Sequence, residues 1–167
     1  MGDGGCDIHY GIYSDSASMQ EATRASTMRL LWIAQQALAG QSLKQVIDIG
    51  AGRGGAAHLI AQTTNAEVTC VDLCQHHHQD NHAEASRLGI DNQIHTVTGD
   101  FERLPAEFTS KFDLAWSQEA ICHAENKTNV FQEVYRVLRP GSVLAFSDIL
   151  LSESATPESS AAFTHVN

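Results

Sequence analysis

The sequence predicts an α/β fold, a doubly wound and mostly parallel sheet with helices on both faces. Two observations predict it: short β-rich runs alternate with longer segments of helical periodicity, and a glycine-rich turn follows the first of these runs. In such sheets ligands bind at the carboxyl ends of the strands, near the point where the strand order reverses. A length of 167 residues gives room for one domain with a substantial core.

The predicted elements mostly alternate between helix and strand. After a loop rich in glycine and tyrosine, the helical patterns cover residues 18–39, 54–62, 75–88 and 129–138. The predicted strands are Gln45–Ile49, Glu67–Leu73, Gln93–Val97, Phe112–Trp116 and Ser142–Ile149. The residues that follow are rich in serine and alanine and predict no further strand, so we expect an open sheet edge at the fifth strand.

The composition disfavours several classes of partner. The formal net charge is −10, and a nucleic-acid partner is not expected, because binding a phosphate backbone requires a basic face. No apolar run approaches the roughly 18 to 20 residues that span a membrane, and the acidic N-terminus differs from the basic start of a signal peptide. The four cysteines lie in apolar or loop contexts and predict reduced thiols in a cytoplasmic protein.

A stretch rich in cysteine and histidine, residues 70–82, raises the question of a metal site. The pairs Cys70–Cys74 and His78–His82 have spacings that zinc ligands use. The three residues between the pairs are too few for two elements to fold onto one ion. We therefore predict no metal here: Cys70 is a small core residue, and the histidines occupy exposed positions of the following helix.

The turn after the first strand, Asp48–Gly55, contains the spacing G-x-G-x-x-G at Gly50, Gly52 and Gly55. Glycines let the backbone bend tightly and let a ligand approach it closely at a helix N-terminus. Dinucleotide-binding proteins share this spacing, but the carboxylate of Asp48 would repel a pyrophosphate. The sulfonium and ammonium groups of S-adenosylmethionine suit an acidic residue, so the sequence favours that ligand over a nicotinamide cofactor.

Acidic residues also follow the second and third strands. Asp72 lies twenty residues after Gly52, where a carboxylate can accept hydrogen bonds from both ribose hydroxyls. After the third strand, Asp100 can accept from the adenine amino group, while the backbone N–H of Phe101 meets a ring nitrogen. Together with Asp48, these carboxylates at three successive strand ends predict one shared ligand site.

The run from Val46 to Ile149 resembles a class I S-adenosylmethionine-dependent methyltransferase. It contains the motifs D-I-G-A-G-R-G, V-D-L, G-D-F-x-x-L-P, F-D-L-A-W-S and L-R-P-G-S-V-L in the order and spacing of that family. The resemblance implies that the cofactor contacts Tyr13, Asp48, Gly50, Ala51, Gly52, Asp72, Leu73, Asp100, Phe101, Ser117 and Gln118.

Two further segments are similar to members of the family that methylate small amines. Residues 116–123 are similar to sarcosine/dimethylglycine N-methyltransferases and, more loosely, to phosphoethanolamine methyltransferases. Residues 8–13 resemble the N-terminal segment that covers the cofactor in such enzymes. The resemblance implies N-methylation of sarcosine or dimethylglycine toward glycine betaine, with phosphoethanolamine or another small molecule as the alternative acceptor.

An amine attacks a sulfonium methyl group only when it is unprotonated, so a nearby side chain must take up or orient the amine proton. The resemblance places His123 in the substrate loop and Tyr10 in the covering segment, and these are the candidate catalytic residues. Glu119 is a candidate anchor for an ammonium group. The ring of Trp116 is a candidate contact for a methylated cation.

These predictions divide the chain into three parts. Residues 1–40 form a cofactor-covering segment and helix, residues 41–150 an S-adenosylmethionine-binding Rossmann-like domain, and residues 151–167 a polar tail that begins a substrate lid. The family's sheet ends with a sixth and a seventh strand, for which no pattern follows, so we expect a truncated methyltransferase whose open edge can pair with a second copy. A chain that binds the cofactor without turnover is the alternative from another functional class.

Overall fold

The computed structural model of the chain describes residues 10–13 and 18–149. The predicted tail, residues 151–167, and residues 8 and 9 of the predicted covering segment lie outside the described residues. Within the described part, no helix is both long and apolar enough to cross a membrane.

The described residues form four α-helices and five strands. The helices are α1 (Met19–Ala37), α2 (Gly55–Thr64), α3 (Gln75–Leu88) and α4 (Lys127–Val137). The strands are β1 (Gln45–Ile49), β2 (Glu67–Asp72), β3 (Ile94–Thr98), β4 (Phe112–Gln118) and β5 (Leu138–Ser147). Short 3-10 turns cover Asp91–Gln93, Ala106–Phe108 and Ile121–His123.

All five strands pair in parallel, in the order β3-β2-β1-β4-β5. The order reverses between β1 and β4, and this reversal opens a crevice at the carboxyl ends of the strands. The central strands are predominantly apolar and largely buried, because helices cover both of their faces. The predicted parallel, Rossmann-like sheet is confirmed.

A separate hydrophobic cluster lies on each face of the sheet. On one face, Leu31 of α1 and Ile60 of α2 belong to the same buried cluster as Trp116 of β4. On the other face, Val134 of α4 belongs to a cluster with Phe112 of β4. The two clusters show that the sheet is covered on both sides, as the doubly wound prediction requires.

The end of the sheet differs from the prediction. Helix α4 continues directly into β5, which begins at Leu138 rather than at Ser142, and Leu138 pairs with Phe112. Pro140 and Gly141 therefore lie inside the strand, at a register shift between β4 and β5. A proline and a glycine are tolerated at such an irregularity, because the regular ladder of hydrogen bonds is interrupted there.

Candidate active site

A cavity of about 620 Å³ lies at the carboxyl ends of β1, β2 and β4. The N-terminal segment, residues 10–13, and the start of α1 form its remaining wall. The lining residues are Tyr10, Tyr13, Met19, Gly50, Gly52, Asp72, Leu73, Phe101, Gln118, Glu119, Ala120, His123 and Ile149. Ten of the thirteen residues that line the cavity are candidates from the sequence, and the other three are Met19, Ala120 and Ile149.

The glycine turn after β1 forms the floor of the cavity. The N–H groups of Gly50 and Ala51 donate to the Val71 carbonyl at 2.9 and 3.1 Å, which fastens the turn to β2. Gly50 has φ +76°, and a Cβ added there would lie 2.3 Å from the Cβ of Ala120. A side chain at Gly50 is therefore excluded both by its backbone conformation and by the loop that follows β4.

The carboxylate of Asp72 is held at the end of β2. Its Oδ2 accepts from the Gly52 N–H and its Oδ1 accepts from the Cys74 N–H, both at 2.8 Å. The Nδ1 atom of His77 lies 3.2 Å from the same Oδ1. These contacts fix the orientation of the carboxylate at the cavity wall, with a position suited to hydroxyl donors of a ligand.

The amide of Gln118 lines the opposite wall at the end of β4. Its Oε1 accepts from the Thr27 hydroxyl of α1 at 2.9 Å. Its Nε2 is buried and has no hydrogen-bond partner among the described residues. Because a buried donor without a partner costs about 1–3 kcal/mol, this amide is suited to a ligand oxygen such as a carboxylate.

The N-terminal segment is attached to the site at two points. The Tyr10 N–H donates to Oε1 of Glu119 at 2.9 Å, and the Ile12 N–H donates to the Ala22 carbonyl of α1 at 2.9 Å. The side chains of Tyr10 and Tyr13 are 72% and 58% exposed and line the cavity. The segment therefore forms a wall of aromatic rings rather than a packed part of the core.

His123 lies at the end of the 3-10 turn that follows β4, and its exposed ring faces the same cavity. Its loop is tied to the loop after β3 by Glu102, whose Oε1 accepts from the Glu125 N–H at 2.7 Å and from the Asn126 N–H at 3.1 Å. His123, Tyr10 and Glu119 thus line the same cavity as Gly50 and Gly52 of the glycine turn.

Trp116 does not reach the cavity, which corrects the prediction that its ring contacts the substrate. It is fully buried in the cluster beneath α1 and α2. The indole alternates with its neighbours along β4 and points to a face that helices cover, so no substrate cation can meet it. The aromatic rings that line the cavity are those of Tyr10, Tyr13 and Phe101.

Four predicted cofactor contacts lie outside the cavity lining: Asp48, Ala51, Asp100 and Ser117. Asp48 is 2% exposed, behind the glycine turn. The Ser117 hydroxyl is buried and donates to the Ile49 carbonyl at 3.2 Å, so it joins β4 to β1. Asp100 is exposed, and its Oδ1 accepts from the Glu102 N–H at 2.8 Å within its own turn.

The histidine-rich helix differs in part from the prediction. His76 and His82 are exposed as expected, but His78 is buried, and its Nε2 donates to the Asp72 carbonyl at 3.2 Å. His78 lies on the face of α3 that packs against β2. The helix is mostly polar, so its sequence does not indicate which face is buried. Across the described residues, no three His, Cys, Asp or Glu side chains form a group suited to a metal ion.

Two thiols near the site are shifted away from the reactive thiolate form. Burial, together with the nearby Asp48 carboxylate, raises the pKa of the Cys70 thiol, and Cys70 is a core residue as predicted. Burial, together with Asp148, raises the pKa of the Cys122 thiol to about 11. Both thiols are therefore protonated at neutral pH, and neither is suited to act as a nucleophile.

Comparison with known proteins agrees with the fold. Residues 47–146 match the family model of the methyltransferase domain. The chain is 35% identical over 156 residues to a glycine/sarcosine/dimethylglycine N-methyltransferase of Actinopolyspora halophila, covering 91% of this chain and 26% of that protein. It is 33% identical to a sarcosine/dimethylglycine N-methyltransferase of Halorhodospira halochloris, covering 87% of this chain and 51% of that protein.

Among solved structures, a candidate sarcosine dimethylglycine methyltransferase from Galdieria sulphuraria shares the fold with a TM-score of 0.85 and 29% identity. The match covers 94% of this chain and 58% of that structure. The chain therefore belongs to the methyltransferase domain family, whose cofactor is S-adenosyl-L-methionine. It spans between about a quarter and three fifths of the length of these relatives.

The residues present fit that cofactor. Gly50 and Gly52 line the cavity without side chains, so their backbone can approach a ligand closely. The carboxylate of Asp72 can accept from ribose hydroxyls, and the buried Nε2 of Gln118 can donate to the methionine carboxylate. Asp72 and Gln118, which line one cavity at the ends of β2 and β4, thus carry an acceptor group and a donor group suited to a ligand with a sugar at one end and an amino acid at the other.

Proposed function

We propose that this protein transfers the methyl group of S-adenosyl-L-methionine to the nitrogen of a small amine, sarcosine or dimethylglycine, toward glycine betaine. One observation carries the proposal: the cavity that the glycine turn and Asp72 form is also lined by Tyr10, Glu119 and His123. The names of the relatives from Actinopolyspora halophila and Halorhodospira halochloris support the same acceptors.

In the proposed complex each cofactor-binding residue contacts a different part of S-adenosyl-L-methionine. Asp72 accepts from the ribose hydroxyls, and Gln118 donates to the methionine carboxylate. Asp100 and the Phe101 N–H bind the adenine edge. The buried charge of Asp48 lies behind the glycine turn, where it favours the cationic end of the ligand.

S-adenosyl-L-methionine would supply an electrophilic methyl group, whose carbon the amine nitrogen would attack in line with the C–S bond, so that the sulfur would leave as the neutral thioether of S-adenosylhomocysteine. The protein must hold the amine close and aligned, and such positioning is worth several kcal/mol. His123 accepts the proton that the amine must lose, since its ring lies in the same cavity and histidine is the side chain that most often acts as a general base. Tyr10 and Tyr13 line the same cavity and place their rings beside the acceptor.

Methylated amines are cations, and an aromatic face attracts such a cation by about 0.5 to 2 kcal/mol. The rings of Tyr10 and Tyr13 are available for this contact, whereas the ring of Trp116 is in the core. The acceptor specificity is therefore proposed to reside in the N-terminal segment and the loop after β4.

The experiment that tests the proposal is product analysis with labelled S-adenosyl-L-methionine. The acceptors are glycine, sarcosine, dimethylglycine and phosphoethanolamine, with a reaction without acceptor as the control. We expect label in dimethylglycine from sarcosine, or in glycine betaine from dimethylglycine. Label in the phosphoethanolamine product alone would overturn the choice of acceptor.

Calorimetric titration with S-adenosylhomocysteine and with NAD completes the test. Binding of S-adenosylhomocysteine with no methylated product from any acceptor would identify a cofactor-binding protein without turnover. Binding of NAD instead would contradict the cofactor assignment.

We also propose a cytoplasmic protein that self-associates through β5. In the described part of the chain, β5 pairs with β4 alone, and Phe146 on this strand is 44% exposed. Light scattering at assay concentration tests this: a mass of one chain at every concentration contradicts it.

A further inference from the structure

The side chain of Glu119 contacts the backbone of the N-terminal segment. Its Oε1 accepts a hydrogen bond from the backbone N–H of Tyr10 at 2.9 Å, across 109 positions of the sequence. A carboxylate that binds a substrate ammonium needs its oxygens directed at the ligand. Here one of the two carboxylate oxygens is directed at the main chain of the N-terminal segment.

The backbone of Glu119 is set up for this contact. Its φ is +54°, in the left-handed region that side chains other than glycine, asparagine and aspartate rarely adopt. Its N–H donates to the Ser147 carbonyl of β5 at 2.8 Å, and its carbonyl accepts from the Cys122 thiol at 3.6 Å. Strained backbone of this kind persists where its surroundings hold it and often marks functional sites.

The other end of the N-terminal segment is attached to α1. A Cβ added at Gly11 would lie 2.5 Å from atoms of Ala22, so the segment lies directly on the helix at this residue. The Ile12 N–H donates to the Ala22 carbonyl at 2.9 Å. With α1 on one side and Glu119 on the other, residues 10–13 form part of the cavity wall.

We propose that Glu119 is a positioning residue, which fastens the N-terminal segment over the cavity through the Tyr10 N–H, rather than a charge that binds the amine. This inference rests on the proposed methyl transfer. Glu119 and His123 lie on the same short loop after β4, so the hydrogen bond from the Tyr10 N–H to Glu119 attaches the segment that carries Tyr10 to the loop that carries His123. The hydrogen bond thereby sets the position of the segment relative to the loop of His123.

The two roles of Glu119 predict opposite results for a neutral isostere. In Glu119→Gln the side-chain oxygen that accepts from Tyr10 is kept and the charge is lost. In Glu119→Ala the accepting oxygen and the charge are both lost. Alanine and glutamine must adopt the same left-handed backbone conformation at this position, so the two variants can be compared directly. Glu125→Ala is the matched control, because it removes an exposed carboxylate from the same loop.

The first readout needs no methyl acceptor. Hydrogen exchange of a peptide that covers residues 10–13 should be faster in Glu119→Ala than in the wild-type chain and close to wild type in Glu119→Gln. The Kd for S-adenosylhomocysteine should rise about 10-fold in Glu119→Ala and stay within about 3-fold of wild type in Glu119→Gln. Glu125→Ala should change neither quantity.

The second readout is the methylation rate with dimethylglycine. If Glu119 is a positioning residue, the Gln variant keeps most of the wild-type kcat/KM and the Ala variant does not. Equal loss in both variants, with a raised KM for the amine and unchanged exchange at residues 10–13, would show that the charge binds the substrate and would overturn the inference. So would wild-type exchange in Glu119→Ala. If the proposed amine methylation itself fails, the exchange and binding results still decide the role of Glu119.

Discussion

The two halves of the cavity are held in different ways. The cofactor half is formed by the glycine turn (residues 50–54) and Asp72, which belong to one strand–turn–helix–strand unit. The Gly52 N–H donates a hydrogen bond to Oδ2 of Asp72 at 2.8 Å and joins the two. The acceptor half, formed by Tyr10 and His123, is largely exposed and depends on contacts between distant segments, such as that from Tyr10 to Glu119. One half is built from a local motif and the other from tertiary contacts.

This difference has consequences for function. The carboxylate of Asp72 is already oriented, so a ligand meets it without reorganisation of the turn. Segments with few buried contacts open most easily, and such segments commonly admit substrate and release product. We therefore expect substitutions in the cofactor half to reduce stability and ligand affinity, and substitutions in the acceptor half to reduce turnover.

The largest effect is expected for Gly50→Ala in the cofactor half. The added Cβ would lie 2.3 Å from the Cβ of Ala120, in a backbone conformation with φ +76°. Left-handed backbone and overpacking together should lower the free energy of unfolding by about 3 to 4 kcal/mol. Urea unfolding measures this change, and S-adenosylhomocysteine binding should be lost with it.

Gly40→Ala is the matched control for that variant. Gly40 has φ +84°, but a Cβ there meets nothing within 4 Å. Its cost should be about 1 kcal/mol, from the backbone alone. The double variant Gly50→Ala with Ala120→Gly removes the opposing Cβ and should recover part of the loss. Equal destabilisation by Gly40→Ala and Gly50→Ala would show that the contact with Ala120 is unimportant.

His123→Ala should have the largest effect on turnover. Loss of a proton acceptor should lower kcat about 100-fold. The Kd for S-adenosylhomocysteine should hardly change, because the ring lies in the acceptor half. Single-turnover kinetics and calorimetry measure the two quantities. Equal losses in rate and affinity would place His123 in the cofactor pocket or assign it a structural role.

Asp72→Ala should weaken binding of S-adenosylhomocysteine by about 2 kcal/mol, through two lost charge-assisted hydrogen bonds. The substitution also removes the acceptor for the Gly52 and Cys74 N–H groups, so the turn itself should become less ordered. Asp91→Ala, at an exposed 3-10 turn, is the control for the lost charge. Wild-type affinity in the Asp72 variant would rule out the ribose contact.

The smallest effect is expected for Glu133→Gln, at a residue that binds the Leu104 N–H in the loop after β3. The hydrogen bond from Arg136, with one from the Leu104 N–H, lowers the pKa of the Glu133 carboxyl. A carboxyl with a lowered folded-state pKa adds stability that is complete above its unfolded value, about 4.3, and is lost as the pH falls through the folded value. Glu133→Gln should therefore cost about 1 kcal/mol at pH 7.

Urea unfolding between pH 7 and pH 3 tests this sign. The wild-type chain should lose stability below about pH 4.5 more steeply than Glu133→Gln does. Equal slopes for the two proteins would show that the ion pair with Arg136 does not contribute to folding. Affinity for S-adenosylhomocysteine at pH 7 should remain near wild type, because this network lies outside the cavity.

The cofactor half could be predicted from the sequence because its geometry is local. Asp72 follows Gly52 by twenty residues, which is one helix and one strand, and parallel strands bring both residues to the same sheet edge. The order of strands and helices could also be predicted from the sequence, since short apolar runs indicate strands and apolar residues at helical spacing indicate helices. The start of β5 could not be predicted in this way. Pro140 and Gly141 are typical of the end of an element, but here the strand continues past them through a register shift.

Side-chain direction is what the tertiary structure alone decided. In a strand covered on both faces, apolar residues point to either side, so the sequence does not distinguish Trp116 in the core from a residue at the cavity. His78 is buried because α3 turns that face toward β2, and Met19 reaches the cavity because α1 starts beside it. The contact of Glu119 with Tyr10 joins residues 109 positions apart, and no local pattern carries information about such a pair. Short-range spacing thus determined the fold and the cofactor half, whereas packing of distant segments determined the acceptor half.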